Sequence, residues 1–220
     1  MIDFQFEIVT RALPAIWEGA LVTMKIAIIS FFLATTIGFC VGVLRSKSRW
    51  LSILFAPYVE IFRGTPLLIQ LFFIYYGLPT INVTLSSFQA AIIGLGLNGG
   101  AYISEVIRAA MLSIDSGQKD AAYALGLSWR QTLMHVVLPQ ALAVSIPPLM
   151  NIFSGLLKET SLVSVLAITE LTRVGQLVYT RSFRAFEIYL VIGCIYFIMT
   201  LIVARVSYHL ERRYTIPGRL

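Results

Sequence analysis

Charged side chains interrupt two apolar segments of this chain. Glu60 and Arg63 lie three residues apart in one segment, and Glu105 and Arg108 have the same spacing in the other. Residues three apart share a helix face, so each acid can meet its arginine. An unpaired charge in lipid costs on the order of 2.5–3.5 kcal/mol, so these groups must pair or reach water. They form either a structural charge cluster or a direct contact to a polar ligand, with Arg63 best placed for the second role.

Three uncharged polar residues are candidate ligand-binding groups. At the rise of an α-helix, Thr65 and Asn98 lie about 20 Å and about 15 Å from the ends of their predicted helices, and Asn151 about 18 Å along a later one. All three are therefore predicted near the middle of a bilayer, a common depth for ligand sites. Gly64-Thr65-Pro66 is predicted to break its helix there and to free backbone groups for a ligand. The alternative is that Asn98 and Asn151 only hydrogen-bond neighbouring helices, at about 0.6 kcal/mol each.

No residue pattern in the sequence points to covalent or metal chemistry. His135 and His209 lie at the margins of apolar segments, and neither H-E-x-x-H nor G-x-S-x-G occurs. Cys40 and Cys194 lie inside apolar segments, which favours packing roles over a disulfide or a metal site. The phosphate-binding pattern G-x-x-x-x-G-K-[ST] is missing as well. We expect no catalytic residue, no metal ligand and no cofactor bound by this chain.

Composition identifies the elements that must position these residues as membrane helices. Hydrophobic residues make up 58% of the chain and charged residues 13%, well below the roughly 25% charged content of soluble domains. The sequence therefore predicts an all-α integral membrane protein that forms one domain over residues 1–220, with a core at about 17–210. Five apolar runs approach the ~20 residues that a bilayer requires. They cover about Trp17–Leu44, Leu51–Pro79, Phe88–Ala110, Leu138–Leu157 and Ile188–Val206.

The distribution of basic residues predicts the orientation. With the N-terminus outside and the C-terminus inside, the inner segments hold ten basic residues against three acidic ones, a bias that sets the topology of membrane proteins. The net charge of +6 is thus explained by topology rather than by nucleic-acid binding. The ten basic residues are Arg45, Lys47, Arg49, Arg108, Lys119, Arg130, Arg205, Arg212, Arg213 and Arg219.

The segment from Gly117 to Pro139 is polar between two apolar runs. It is predicted to form two short helices joined at Gly126-Leu127-Ser128, with Ser128 as the N-cap and Gln131 completing a capping box. Gly126 permits a backbone turn that a β-carbon would oppose. A connecting loop has no intrinsic need for such structure, so a partner is expected to dock there. The alternative is a helix lying on lipid headgroups.

Several of these motifs, in this order, resemble those of a known family. Asp120-Ala121-Ala122-x-x-x-Gly126, followed by Leu138-Pro139, resembles the "EAA" coupling loop of bacterial ABC importer permeases, with Asp in place of the usual Glu. We therefore name residues 117–139 the coupling loop. Three further motifs resemble the polar amino acid permease branch of this family. They are Phe62–Leu67, Asn98–Ala109 and Leu157–Leu162.

The resemblance implies a type I ABC importer permease fold with five spans and a cytoplasmic coupling loop. The chain would be a bacterial inner-membrane permease subunit, surrounded by lipid and paired with a second permease, the same or a related chain. Two copies of an ABC ATPase would bind ATP and Mg²⁺, and an extracytoplasmic binding protein would deliver the solute. The resemblance assigns ATPase coupling to Asp120, Ala121, Ala122, Gly126 and Arg130.

The same resemblance implies a polar or zwitterionic amino acid as the solute, such as cystine or glutamine. The candidate substrate-binding residues are Arg63, Thr65, Asn98, Tyr102 and Asn151. Relatives that carry cationic amino acids often have an acid after the matching Asn, whereas Ile152 follows here. A basic solute is therefore disfavoured. An ATPase-independent channel or a secondary transporter is the alternative function.

The outer segment from Lys158 to Glu187 is too charged to span a membrane. Its apolar run, Leu162–Ile168, is predicted to form a half-helix that gates the outer mouth. Its charged residues are predicted to form a rim that contacts the binding protein. The rim residues are Glu170, Arg173, Arg181, Arg184 and Glu187.

Overall fold

The computed structural model describes residues 5–214, which are helical along most of their length and contain no β-strand. Arg219, counted above among the inner basic residues, lies outside the described part of the chain. Short π or 3-10 turns extend three of the helices: Phe73–Gly77 and Leu78–Ile81 follow α3, Leu133–Val137 follows α6, and Thr160–Leu166 follows α7. The α-helices are α1 (Phe6–Lys47), α2 (Arg49–Gly64), α3 (Leu67–Phe72), α4 (Ser87–Leu112), α5 (Ser116–Ala124), α6 (Trp129–Thr132), α7 (Leu138–Glu159), α8 (Leu171–Ser182) and α9 (Ala185–Tyr214).

Four helices in the described chain are long and apolar enough to cross a membrane: Phe6–Lys47, Ser87–Leu112, Trp129–Leu166 and Ala185–Arg213. The segments Arg49–Gly64 and Leu67–Ile81 pass the same test together, with a bend of 107° between them. The predicted apolar runs thus all occur as helices, and the break predicted at Gly64-Thr65-Pro66 is confirmed. The helices Phe6–Lys47 and Trp129–Leu166 begin well before the predicted Trp17 and Leu138, because their polar first turns continue the helix beyond the apolar run.

The α1 and α4 helices form the central contact of the fold, and glycines allow their close approach. A β-carbon at Gly38 would lie 2.5 Å from side-chain atoms of Ile103, and one at Gly42 would lie 2.7 Å from the carbonyl oxygen of Ser104. Small residues spaced in this way let helix backbones approach closely in membranes, where packing replaces the hydrophobic effect. The packing face predicted by residues 38–42 is therefore used against α4.

A buried carboxylate in the outer segment, that of Glu170, holds α8 against α1 and α9. Glu170 is 0% exposed and accepts hydrogen bonds from the N–H groups of Thr172 (2.9 Å) and Arg173 (2.8 Å), which caps α8. The hydroxyls of Thr23 in α1 and Tyr196 in α9 donate to the same carboxylate at 3.3 and 3.0 Å. Burial raises the pKa of the Glu170 carboxyl, and these hydrogen bonds oppose that shift. Glu170 thus ties three helices together.

The prediction that Glu170 and Glu187 belong to an exposed charged rim was wrong. The Glu187 side chain is 3% exposed and pairs with Arg184 at 3.5 Å, while Glu170 faces inward as a helix cap. The apolar run predicted as a half-helix forms the 3-10 helix Thr160–Leu166 instead, with Val163 and Leu166 buried. Charge counts along the sequence could not distinguish a solvated acid from one that caps a buried helix end.

Adding a methyl group at Gly38 should separate α1 from α4. We expect Gly38→Ala to lower the stability of the folded chain by about 1–3 kcal/mol, since the methyl group overpacks a tight contact. Gly193→Ala in α9 is the matched control, because nothing lies within 4 Å of a β-carbon there. Melting temperatures in detergent measure both changes. Equal melting temperatures for the two variants would contradict the close packing of α1 on α4.

Candidate functional site

The break between α2 and α3 is caused by Thr65 and Pro66. Thr65 and Pro66 have extended backbones, with ψ angles of 149° and 133°. Proline has no N–H and disfavours a helical conformation in the residue before it, so the hydrogen-bond ladder of α2 cannot continue. The Thr65 hydroxyl donates back to the carbonyl of Ile61 at 2.7 Å. The carbonyl of Phe62, which the ladder would otherwise satisfy, needs another donor.

Two side-chain amides supply that donor. Gln70 Nε2 lies 2.9 Å from the carbonyl oxygen of Phe62, 3.0 Å from that of Thr65 and 2.8 Å from the Thr65 hydroxyl. Asn98 Nδ2 in α4 donates to the Phe62 carbonyl at 2.9 Å and to Gln70 Oε1 at 3.0 Å. Both amides are buried. Asn98 therefore binds the broken helix in this structure, which favours its hydrogen-bonding role over direct contact with a ligand.

Sequence reasoning missed Gln70. The available signal was a single amide inside the apolar run Leu67–Phe73, four residues after the proline. A polar side chain one turn beyond a helix break is well placed to satisfy the freed backbone groups.

A second polar group surrounds Glu105 in α4. Arg45 of α1 donates to Glu105 Oε1, and Arg108 holds Oε2 through two hydrogen bonds of 2.8 and 3.1 Å. Arg63 of α2 lies 4.0 Å from Oε1. We call these four residues the Glu105 cluster. It joins α1, α2 and α4, and it confirms that the charges meet across helices.

The composition of the Glu105 cluster differs from the prediction in two members. Arg45 was counted only toward topology, yet its side chain is 8% exposed and pairs directly with Glu105. Glu60 is exposed and forms no ion pair within residues 5–214. A long arginine side chain at a helix end can turn back into the bundle, and sequence position does not reveal that direction.

The candidate substrate-binding residues divide into two places. Arg63, Thr65, Asn98 and Tyr102 lie together around the helix break, where the Arg63 guanidinium covers the Tyr102 ring at 5.2 Å. The Arg63 side chain is 43% exposed, and the Tyr102 residue is 40% exposed.

Asn151 is exposed and lines a groove of about 330 Å³ between α7 and α9. The other polar residues of this groove are Ser154, Ser207, Tyr208 and Glu211, and its lining includes none of the four residues at the break. The structure thus brings four of the five candidates together and places Asn151 on a different surface.

The coupling loop has the predicted two-helix structure. At the end of α5, the N–H of Gly126 donates to the carbonyl of Tyr123 at 2.9 Å, and that of Leu127 donates to Ala122 at 3.1 Å. This pair of bonds is a Schellman motif, which requires a left-handed residue at Gly126, where φ is +81°. Ser128 and Gln131 form the predicted capping box of α6. The first helix, α5, begins at Ser116, where the Asp115 side chain caps it by accepting from the Gly117 N–H.

The residues assigned to coupling lie mainly on the surface. Asp120, Ala121, Gly126 and Arg130 are exposed, whereas Ala122 is 4% exposed and packs inward. Leu125, at 83% exposure, adds an apolar side chain that sequence reasoning did not single out. Tyr123 and Trp129 of the same loop are also exposed, at 46% and 43%, and a set of exposed apolar side chains rimmed by polar residues is typical of an interaction surface.

Side-chain contacts fix the coupling loop to the membrane helices. The Lys47 ammonium group at the end of α1 covers the Trp129 ring at 4.6 Å, and Lys119 donates to the carbonyl of Met111 in α4 at 3.4 Å. Residues Trp129–Leu166 form one continuous helix through the π turn at Leu133–Val137. The loop is therefore joined without a break to the helix that carries Asn151.

The described residues thus form an all-helical bundle of membrane-length helices, with one sharply bent helix pair and a structured polar loop between two of the long helices. Residues 34–216 match the family described as "Binding-protein-dependent transport system inner membrane component". The chain belongs to this family.

Curated relatives and solved structures agree with this assignment. The chain is 42% identical over 202 residues to the L-cystine transport system permease protein TcyB of Bacillus subtilis, covering 91% of this chain and 86% of the relative. It is 37% identical over 214 residues to the glutamine transport system permease protein GlnP of Escherichia coli, covering 96% and 98%. A crystal structure of an amino acid ABC transporter with histidines matches with a TM-score of 0.88 and 33% identity over 97% of this chain and 99% of that one.

The MetNI methionine ABC transporter in an inward-facing conformation matches with a TM-score of 0.80 and 21% identity, over 98% of this chain and 100% of that one. At this identity the likeness concerns the fold. Together with the family match, it establishes an ABC importer permease fold.

Asn98 and Asn151 should respond differently to the same substitution. Asn98→Leu leaves the Phe62 carbonyl with one donor fewer, and we expect the stability to fall by about 1–2 kcal/mol. Asn151→Leu replaces an exposed side chain and should leave the melting temperature unchanged while lowering solute uptake. Melting curves and uptake by proteoliposomes compare the two variants. An unchanged melting temperature for Asn98→Leu would contradict its role at the helix break.

Removing the charge of Glu105 should destabilise the contact between α1, α2 and α4. Glu105→Gln leaves the buried Arg45 without its counter-ion, a change that costs about 3–5 kcal/mol in buried pairs. The control is Glu7→Gln, which breaks the exposed Glu7–Arg11 pair and should change stability by no more than about 0.5 kcal/mol. Melting temperatures of both variants measure the difference. Similar values would show that the Glu105 cluster contributes little to stability.

Proposed function

We propose that this chain is the membrane-spanning permease subunit of an ATP-driven importer for a polar or zwitterionic amino acid, such as cystine or glutamine. The single observation that carries the proposal is the coupling loop: a capped, exposed two-helix unit that continues directly into a membrane helix. The named functions of the relatives, cystine and glutamine transport, support this class of solute. Ile152 stands after Asn151 in the sequence, at the position where the resemblance associates an acid with cationic solutes, and so supports a solute with an uncharged side chain.

The proposed topology has five spans, with α2 and the α3 segment forming one bent crossing. The N-terminus lies outside and the C-terminus inside, which places the coupling loop in the cytoplasm. The excess of basic residues in the inner segments supports this orientation. We further propose that residues 1–220 form a single permease domain in the bacterial inner membrane.

The family is that of binding-protein-dependent systems, which implies an ATPase, a binding protein and a second permease as partners. We propose that two ATPase subunits bind ATP and Mg²⁺, while this chain binds no cofactor. The second permease is this chain or a related one. The binding protein contacts the outer segment, where Arg181 remains exposed.

The continuous helix Trp129–Leu166 suggests how the two sides communicate. Closure of the ATPase pair would move the coupling loop, and the loop would carry α7 with it because no flexible joint separates them. The groove lined by Asn151 would then change shape along with the contact between α7 and α9. Hydrolysis would return the loop to its starting position.

A substitution at Gly126 tests this coupling. Nothing lies within 4 Å of a β-carbon at Gly126, and aspartate tolerates the left-handed conformation better than most residues do. We expect Gly126→Asp to fold and insert normally but to lose co-purification with the ATPase and to abolish uptake, since its carboxylate projects from the docking turn. Ser116→Asp is the control, because an acid is favourable in the first turn of α5.

The measurements are co-purification of the ATPase and its stimulation by binding proteins loaded with different amino acids. Stimulation by one loaded protein identifies the solute. Normal uptake by the Gly126→Asp variant, or the failure of any ATPase to co-purify with the stable unmodified chain, would contradict the proposed function and favour a channel or a secondary transporter.

A further inference from the structure

The Glu105 cluster contains more positive than negative charge. Arg45, Arg63 and Arg108 surround the single carboxylate of Glu105. Arg45 already donates to one carboxylate oxygen and Arg108 holds the other. The single charge of Glu105 can therefore neutralise only one of the three arginines, and Arg63 is the arginine that lies farthest from its carboxylate.

The Arg63 guanidinium has unused donors. It lies 4.0 Å from Glu105 Oε1, beyond hydrogen-bond distance, and no residue in the described range 5–214 accepts a hydrogen bond from it. Arg45 adds a second sign of an incomplete site, because its Nε is buried without a hydrogen-bond partner among the described residues. Buried donors without acceptors are rare in proteins and indicate a missing partner.

The surface around Arg63 is open and has the shape of a binding site. The Tyr102 ring lies beneath the guanidinium at 5.2 Å and is 40% exposed, so it fixes one side of the arginine and leaves the other accessible. Tyr102 follows Asn98 by one helical turn, and Thr65 follows Arg63 by two residues. The open donors therefore adjoin the helix break.

The open donors of Arg63 suit an oxyanion. Arginine presents its N–H groups in a rigid plane that matches the two oxygens of a carboxylate or a phosphate. The Tyr102 ring holds one face of the Arg63 guanidinium, while 43% of the arginine side chain stays exposed and open to such a group.

Glu60 favours a zwitterion over a phosphate. It lies three residues before Arg63 on α2, so the two side chains share a helix face, and Glu60 is exposed. A nearby carboxylate would repel a lipid phosphate, whereas it would attract the ammonium group of an amino acid. An acid and an arginine on one exposed face complement the two charges of an α-amino acid.

We propose that Arg63, positioned by Tyr102 and the Glu105 cluster, binds the α-carboxylate of the transported amino acid, while Glu60 faces its ammonium group. This inference rests on the proposed function, and it names the part of the solute that this surface recognises. The proposed site recognises the α-carboxylate and the α-ammonium group of the amino acid, and other contacts recognise its side chain.

The test measures binding of an amino acid and of its amide to the purified permease–ATPase complex, without binding protein, in nanodiscs of phosphatidylcholine. The probes are L-glutamine, L-cystine and a panel of other L-amino acids, and the tightest binder is compared with its α-carboxamide by calorimetry. We expect Arg63→Gln to weaken binding of the acid by about tenfold or more, which is the loss of a charge-assisted hydrogen bond. The amide should bind the unmodified complex weakly and be insensitive to Arg63→Gln.

Control variants separate recognition from folding. Arg205→Gln removes an exposed arginine from α9 and should leave binding unchanged, and Arg63→Lys should restore part of the affinity for the acid. Melting temperatures confirm that each variant is folded. An equal loss of affinity for the acid and the amide would overturn the proposal, as would the absence of binding by every acid of the panel.

Two further outcomes have distinct meanings. Phosphatidylglycerol that co-purifies with the unmodified complex and is lost in Arg63→Gln, with acid binding unchanged, would overturn the proposal and assign the site to a lipid phosphate. ATPase co-purification depends on the coupling loop and not on Arg63. If the Arg63→Gln variant still co-purifies with the ATPase and its affinity for the acid is unchanged, this site is rejected and the proposed function stands.

Discussion

A broken helix in a membrane must satisfy its free backbone groups inside the protein, because lipid offers no hydrogen bonds. Pro66 has no N–H, so the Phe62 carbonyl lacks its helical donor. The side-chain amides of Gln70 and Asn98 each donate to this carbonyl at 2.9 Å. The 107° bend between α2 and the α3 segment depends on these contacts. The position of α4 follows from the same contacts, since Asn98 belongs to that helix.

Close packing of α1 on α4 makes the second polar group possible. Glycines at positions 38 and 42 let the two backbones approach, and the C-terminal halves of both helices then bring Arg45 and Glu105 into contact. Arg63 reaches the same carboxylate from α2. Arg63 belongs to the Glu105 cluster and directly follows Phe62, whose carbonyl accepts from the two amides, so the two polar groups adjoin at the helix break.

The coupling loop depends on a different principle, the continuity of one helix. Ser128 begins a helix that passes through a π turn and the membrane to Leu166. Pro139 lies inside this helix and lacks an N–H for the usual bond to the preceding turn. It directly follows the π turn, where the Leu138 N–H bonds to the Leu133 carbonyl, and the chain stays helical through it. Motion of the loop therefore has a direct mechanical path to Asn151.

The sequence by itself determined the membrane class, the apolar runs, the helix break, the two-helix coupling loop and the family, since these depend on local composition, proline and glycine chemistry, and capping residues. Only the tertiary structure decided which polar groups meet. In the folded chain Glu170 and Glu187 are buried, Arg45 pairs with Glu105, and Gln70 binds the carbonyls at the helix break. Glu60 lies outside the Glu105 cluster, and Asn151 lies on a different surface from Asn98. The physical reason is that a long or buried polar side chain finds its partner on another helix, and helix packing rather than sequence spacing fixes that distance.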